Sequence, residues 1–186
     1  GWTFYPAVQA AHILLPQFIE GKHRTLVPIG IDQDPFIRLT RDIAEHSTLN
    51  FVKPSAIHSK FLPSLKGSVK MSSSEGEETN LIYLSDNEKE IKRKINKYAF
   101  SGGRDTLEEH KKYGGNPKVD VSFQYLKMLF ESDDKTLAEI ENNYKSGKLL
   151  SGQLKGILIE KINAFLKEHQ KNRKSAKKQL KKFMLS

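Results

Sequence analysis

The run Leu26, Val27, Pro28, Ile29, Gly30, Ile31 constrains the fold of this chain more than any other feature. A short, continuous apolar stretch without polar alternation has the composition of a strand buried on both faces, which is the situation of strands in parallel sheets. It stops at Asp32. Asp34 followed by Pro35 then predicts a helix N-cap with proline at the first helical position, and Phe36, Ile37, Leu39 and Ile43 supply an inner face. Strand, turn and helix in direct succession form half of a βαβ unit, so the first part of the chain is expected to be α/β with a parallel sheet. Upstream, the aromatic cluster Trp2, Phe4 and Tyr5 leads into Val8, Ile13, Leu14 and Leu15, whose spacing predicts a helix ending near Pro16. The proline-bearing segment 47–66 gives no clear element, 67–79 reads as a polar loop, and Leu81 to Leu84 is a last apolar piece.

Beyond Leu84 the character of the chain changes. Ser85 and Glu88 fit a Ser-x-x-Glu capping box, and helical patterns follow over 86–98, 106–112, 122–131, 135–145 and 152–182. Ser101, Gly102, Gly103 and Gly114, Gly115, Asn116 interrupt them, and Ser151 is placed to cap the last. These observations set two domains, 1–84 and 85–186. Charge divides at the same place: residues 1–84 hold 8 basic and 8 acidic side chains, whereas 85–186 hold 23 against 14, which accounts for the whole net charge of +9. Lys167 to Lys182 alone carries eight basic residues against one acid, Glu168. Such asymmetry points to a polyanionic partner, nucleic acid foremost, although lysine-rich helices also occur simply as solvated faces. The absence of cysteine excludes disulfides, thiolate metal sites and cysteine nucleophiles, and leads to the expectation of a reduced, cytoplasmic setting. No apolar stretch is long enough for a membrane-spanning helix, and the first residues lack a secretory pattern, so no membrane partner is expected.

Three short segments carry chemistry. Lys70, Met71, Ser72, Ser73, Ser74 lie in the glycine- and serine-rich stretch, where a lysine with several hydroxyls either closes over a polyphosphate or is only a flexible loop. Gly30, Ile31, Asp32, Gln33, Asp34 sit at the carboxyl end of the predicted strand, the end at which open α/β sheets bind ligands. There Gly30 would admit a nucleotide close to the backbone, Asp32 would accept from ribose hydroxyls, and Gln33 would both donate and accept. Tyr5 and Gln9, four apart, share one face of the first helix. The six histidines form no His-Glu-x-x-His pattern, no metal site is expected, and Glu75, Glu77 and Glu78 read as a solvated acidic run.

Taken in order, Tyr5-Pro6-Ala7-Val8-Gln9, Gly30-Ile31-Asp32-Gln33-Asp34, Lys70-Met71-Ser72-Ser73-Ser74 and Phe100-Ser101-Gly102-Gly103-Arg104-Asp105 resemble the tryptophanyl-tRNA synthetases of archaeal and eukaryotic type, within class I of the aminoacyl-tRNA synthetases. The resemblance runs along the whole chain. It implies the second part of a Rossmann-type nucleotide-binding domain followed by an all-α anticodon-binding domain, a homodimer, ATP with Mg2+, and tryptophan and tRNA(Trp) as substrates. Residue by residue, it implies substrate binding at Tyr5, Gln9 and Gln33, and ATP binding at Gly30, Asp32, Gln33, Lys70 and Met71. It further implies catalytic help from Lys70, Ser72 and Ser74, and anticodon binding by Arg104 and Asp105. Ser73 replaces the second lysine of the wider class signature Lys-Met-Ser-Lys-Ser. None of His12, His23, His46, His58, His110 and His169 lies in the His-x-Gly-His motif that the class carries in its first half. The expectation is therefore a chain that lacks that half and, alone, forms no aminoacyl-adenylate. A non-catalytic RNA-binding module and a tyrosine-specific relative are the alternatives.

Overall fold

The computed structural model, which describes residues 4–46, 48, 50–67, 71 and 81–183, divides into two compact units, Gly1–Phe61 and Leu62–Ser186. In the first, the expected strand is β1 (Leu26–Gly30), and it pairs in parallel with β2 (Ser55–Ser59), Val27 opposite Ala56 and Ile29 opposite His58. Parallel pairing is as predicted, but the sheet has two strands among the described residues, and neither is buried on both faces. Leu26 and Ile57 are 58% and 57% exposed. The molecule is mostly helical with a small parallel sheet, so α/β describes only its first unit.

The helix α1 (Tyr5–Glu20) does not stop at Pro16. Pro16 is exposed, and the turn after it is held from outside: Gln17 is buried, donates through Nε2 to the Val52 carbonyl at 2.9 Å and accepts the Val52 N–H at 2.8 Å. These tertiary hydrogen bonds anchor the turn that follows the proline. Gly21, with φ 86°, ends the helix. A second correction concerns Asp34. A 3-10 turn over Ile31–Gln33 runs directly into α2 (Asp34–His46), and Asp34 has the helical angles φ −55°, ψ −41°. It is not an N-cap, because its carboxylate is turned to Arg38 and His58 instead. Ala10, Ile13, Leu14 and Gln17 of α1 and Ile37, Thr40 and Ala44 of α2 are the buried residues of this helix pair.

From Glu88 on, the elements of the second unit among the described residues are helices: α3 (Glu88–Tyr98), α4 (Leu107–Tyr113), α5 (Val121–Tyr125) continued by a π turn over Leu126–Phe130, α6 (Asp134–Lys145) and α7 (Ser151–Gln179) with a 3-10 turn at Leu180–Lys182. The capping box lies two residues later than Ser85 and Glu88, at Asn87 and Glu90. Asp86 explains the delay. It is buried, accepts the Tyr83 N–H at 2.9 Å and pairs with buried Lys94 at 2.6 Å, so the chain is tied into the core before it turns helical. Ser151 is the first residue of α7 rather than its cap. The core gathers Ile91 and Ile95, Val121, Phe123, Tyr125 and Leu126, Tyr144, and the α7 ladder Leu154, Leu158, Ile162, Leu166. Leu65 is fully buried in it, with Leu62, Met71 and Ile82 packed alongside. The packing break therefore falls at Phe61 and Leu62, ahead of the change in composition at Leu84 and Ser85. Apolar side chains decide where the units separate, and charge does not follow them. Among the described residues no helix is long and apolar enough to cross a membrane.

Candidate functional site

The first unit brings together the residues singled out at its two ends. Tyr5, at the start of α1, packs edge-on against Phe36 in the first turn of α2, ring centroids 5.3 Å apart. This contact joins the Tyr5 and Gln9 turn of α1 to the helix that follows the Gly30–Gln33 segment. Gln9 and Gln17 lie on the same helix yet differ. Gln17 satisfies both ends of its amide, whereas Gln9 Oε1 is buried and has no hydrogen-bond partner among the described residues. An orphaned buried acceptor carries a desolvation cost that a bound donor would remove. Gly30 is extended (φ −71°, ψ 151°), and a Cβ there would lie 2.9 Å from Asp32 Oδ1 and 3.2 Å from the Phe61 ring. A side chain at this position would have to displace those two side chains. Asp32 is exposed and Gln33 half-buried.

Beside this segment is a group that the sequence did not reveal. His58 Nε2 lies 2.8 Å from Asp34 Oδ1, and Arg38 Nε donates to Asp34 Oδ2 at 2.7 Å. Burial of the Asp34 carboxylate pushes its pKa upward, but the hydrogen bonds and charges of Arg38 and His58 outweigh this and hold it below the ordinary 3.8. His58 carries no sequence signal, because its partner is 24 residues away. Lys70, Ser72, Ser73 and Ser74 lie outside the described residues, as do Glu75, Glu77 and Glu78. Met71 donates its N–H to the Leu62 carbonyl at 2.8 Å and packs its side chain on the helical core. No group of three or more metal-binding side chains occurs among the described residues.

The second unit presents a cleft of about 450 Å³ that contains both residues expected to read an anticodon, lined by Arg104, Asp105, His110, Ser151 and Gln153 among others. Its floor is organised by Asp120. This buried carboxylate caps α5 through the N–H groups of Ser122 and Phe123, accepts the Gly102 N–H at 2.8 Å, and accepts the Tyr144 hydroxyl at 2.7 Å. Tyr144 in turn meets Ser151 Oγ at 3.0 Å, so one carboxylate fixes the 101–105 segment against three helices. Burial, with Asp120 adding to it, pushes the Tyr144 phenol upward and keeps it a neutral donor. The two glycine pairs do more than break helices. Gly114, with φ 68°, approaches the Lys145 carbonyl so closely that no side chain would fit, and a Cβ on Gly115 would lie 2.5 Å from the Tyr144 ring. Asn116 N–H then donates to the Gly102 carbonyl at 2.7 Å, tying one pair to the other.

Against this frame, Arg104 uses Nε on the Gly114 carbonyl at 3.1 Å and no described carboxylate pairs with it. The helix cap is supplied by Thr106, whose hydroxyl accepts the Glu109 N–H at 3.2 Å. Asp105 is exposed and has no hydrogen-bond or ion-pair partner among the described residues. A planar donor fork and an acceptor-only carboxylate side by side suit the edge of a nucleobase. His110, buried beneath them and 5.3 Å from the Tyr144 ring, binds the Leu149 carbonyl through Nε2 at 3.0 Å. Asp120 had a sequence signal as an N-cap before an apolar turn; Tyr144 and His110 had none.

A two-stranded parallel sheet ending in Gly-Ile-Asp-Gln, followed by a helical unit with this cleft, places the chain in a known class: it belongs to the class I tRNA synthetases (W and Y), whose family model matches residues 3–167. Within that family its sequence is of the tryptophanyl, archaeal and eukaryotic type. It is 56% identical over 179 residues to the tryptophan–tRNA ligase of Sulfurisphaera tokodaii, covering 96% of this chain and 45% of the relative. It is 46% identical over 191 residues to the protein named cytoplasmic tryptophan–tRNA ligase in Oryctolagus cuniculus, covering 99% and 39%. The crystal structure of tryptophanyl-tRNA synthetase from Aeropyrum pernix matches with a TM-score of 0.85 at 36% identity, covering 93% of this chain and 47% of that one. The chain thus spans about half the length of the relatives it matches.

Proposed function

We propose that the chain is part of a tryptophan–tRNA ligase. It would comprise the second part of a Rossmann-type catalytic domain up to Leu84 and a helical anticodon-binding domain from Ser85. In the complete enzyme an oxygen of the tryptophan carboxylate attacks the α-phosphorus of ATP and pyrophosphate leaves with the bonding electron pair. A hydroxyl of the terminal adenosine of tRNA(Trp) then attacks the activated carbonyl and AMP leaves. Side chains do little covalent work in such a transfer; positioning and charge stabilisation dominate. Gln9 offers its unpaired Oε1 to the α-ammonium, with Tyr5 beside it, and Gln33 holds the carboxylate and neighbouring ATP atoms. Gly30, Asp32 and Met71 line the nucleotide, and Lys70 with Ser72 and Ser74 stabilises the departing pyrophosphate. Mg2+ would arrive with the phosphates of ATP and neutralise part of their charge. A cytoplasmic homodimer is the corresponding assembly.

The observation that carries this reading is the Asp105 carboxylate, exposed in the cleft beside Arg104 and without a partner among the described residues because Thr106 performs the capping. Binding of the chain to tRNA(Trp), compared with the same tRNA bearing an altered anticodon, tests it: a clear preference for the matched anticodon is expected, and equal affinity would refute it. The lack of a His-x-Gly-His motif favours a second reading for the polypeptide by itself, a non-catalytic RNA-binding module. Tryptophan-dependent ATP–pyrophosphate exchange separates the two.

A further inference from the structure

The helix α7 leaves the core part-way along its length. Its buried positions Leu154, Leu158, Ile162 and Leu166 recur every four residues and then cease, and every position from Lys171 to Leu180 is exposed. The last polar tie is Gln170, whose amide donates to the carbonyls of Leu84 and Asp86 at 3.1 Å each. Beyond it stand Lys171, Arg173, Lys174, Lys177 and Lys178, with no acidic residue after Glu168. Like charges three and four apart on a helix repel one another, and the helix dipole compensates only in the final turn. A projecting helix of this kind has nothing of its own to neutralise it. Lys167, Lys171, Lys174 and Lys178 fall at i, i+4, i+7 and i+11, hence on one face, where with Gln170 and Ser175 they line a shallow groove. None of the four has an ion-pair partner among the described residues. Arg173 and Lys177 fall on the other side.

The opposite end of the same helix carries Ser151 and Gln153, which line the Arg104 and Asp105 cleft. At the rise of an α-helix, the lysine face begins roughly 24 Å and ends roughly 40 Å from Ser151. We propose that α7 grips one RNA at two places: the cleft at its first turn takes a loop base, and the Lys167, Lys171, Lys174, Lys178 face holds the sugar-phosphate backbone of the stem that closes the loop. The inference rests on the tRNA-binding reading above and adds to it the partner of the lysine face and the span between the two contacts. Lysine presents a compact charge without the planar fork that reads bases, and the deep groove of an RNA duplex hides base edges from side chains, so this face measures backbone and not sequence.

The test uses the whole chain, tRNA(Trp), and two hairpins with the same anticodon loop, one with its complete stem and one with a shortened stem, at several salt concentrations. Replacing Lys171, Lys174 and Lys178 together by Gln should reduce the slope of log K against log salt by about 2–3, the value for roughly three phosphate contacts. The ratio of matched to altered anticodon should stay the same, and the shortened hairpin should bind wild type and variant alike. The triple Arg variant should restore the slope, and circular dichroism should show helix content retained. An unchanged slope, a changed anticodon ratio, or an equal loss for the shortened hairpin would overturn the proposal. If wild type prefers the matched anticodon while the Gln variant keeps its slope, only this inference fails; if wild type binds no RNA, the tRNA reading itself fails.

Discussion

Thr106 and Asp105 are neighbours with separable work, and the separation is measurable. Thr106→Ala removes the α4 cap and should lower the unfolding free energy by about 1 kcal/mol while leaving the preference between anticodons intact. Asp105→Ala should do the reverse, narrowing that preference by roughly 1–3 kcal/mol with thermal stability nearly unchanged. Thermal denaturation and tRNA binding on the two variants decide it; a stability loss confined to Asp105→Ala would show that Asp105 supports the helix and does not read a base. The two glutamines of α1 make a matching pair. Gln17→Leu strands the N–H and carbonyl of Val52 and should destabilise the first unit by about 2–4 kcal/mol. Gln9→Leu removes an acceptor that has no partner, so stability should hold or rise, while tryptophan binding in the complete ligase should fall. Equal destabilisation by both would show that Gln9 is a structural residue.

Among the elements, the joint between β2 and α2 is one that acid should loosen. Asp34 bridges His58 at the strand and Arg38 on its own helix, and its pKa is depressed in the folded state. A depressed carboxylate stabilises the fold at pH values above its unfolded pKa, and that contribution disappears as pH falls through the lower folded value. Wild type should therefore exceed Asp34→Asn in thermal midpoint at neutral pH, and the gap should close as pH drops from the neighbourhood of 3.8 downward. A gap that persisted in acid would mean that the aspartate acts through shape alone. Packing at this scale also revised three helix starts, at Asp34, Ser85 and Ser151, and one helix end. Asp34 and Ser151 carry cap-forming side chains but spend them on His58 and Tyr144, and α1 continues past Pro16 because Gln17 is anchored outside the helix.

For the molecule as a whole, two units imply two kinds of competence. The helical unit has a core of its own, with α5, α6 and α7 joined through Asp120, whereas the first unit holds a parallel pair of strands with exposed apolar residues. Parallel pairs are ordinarily covered on both faces in larger sheets. The chain alone should therefore bind tRNA yet show no tryptophan-dependent ATP–pyrophosphate exchange, because donors worth several kcal/mol to such a reaction come from the His-x-Gly-His half of the class. Exchange by a preparation free of any longer enzyme would contradict this. In the complete ligase, Lys70→Ala should slow activation far more than it weakens tryptophan binding, since its charge is needed as pyrophosphate departs.

The family came from the resemblance of four short motifs, whereas local composition and spacing sufficed for the strand at Leu26–Gly30, its parallel partner preference, the five longer helices after Ser85 and the excess positive charge of the second half. These follow from near-neighbour physics: apolar periodicity, glycine breaks and charge counts are all written within a few residues. Tertiary structure alone decided the place of β2, the packing break at Phe61 and Leu62, the pairing of His58 with Asp34, and the Asp120, Tyr144 and Ser151 frame under Arg104 and Asp105. Each depends on partners that are distant in sequence or on a side chain choosing between two acceptable partners. That choice is settled by what else is buried beside it, a quantity that exists only once the chain is folded.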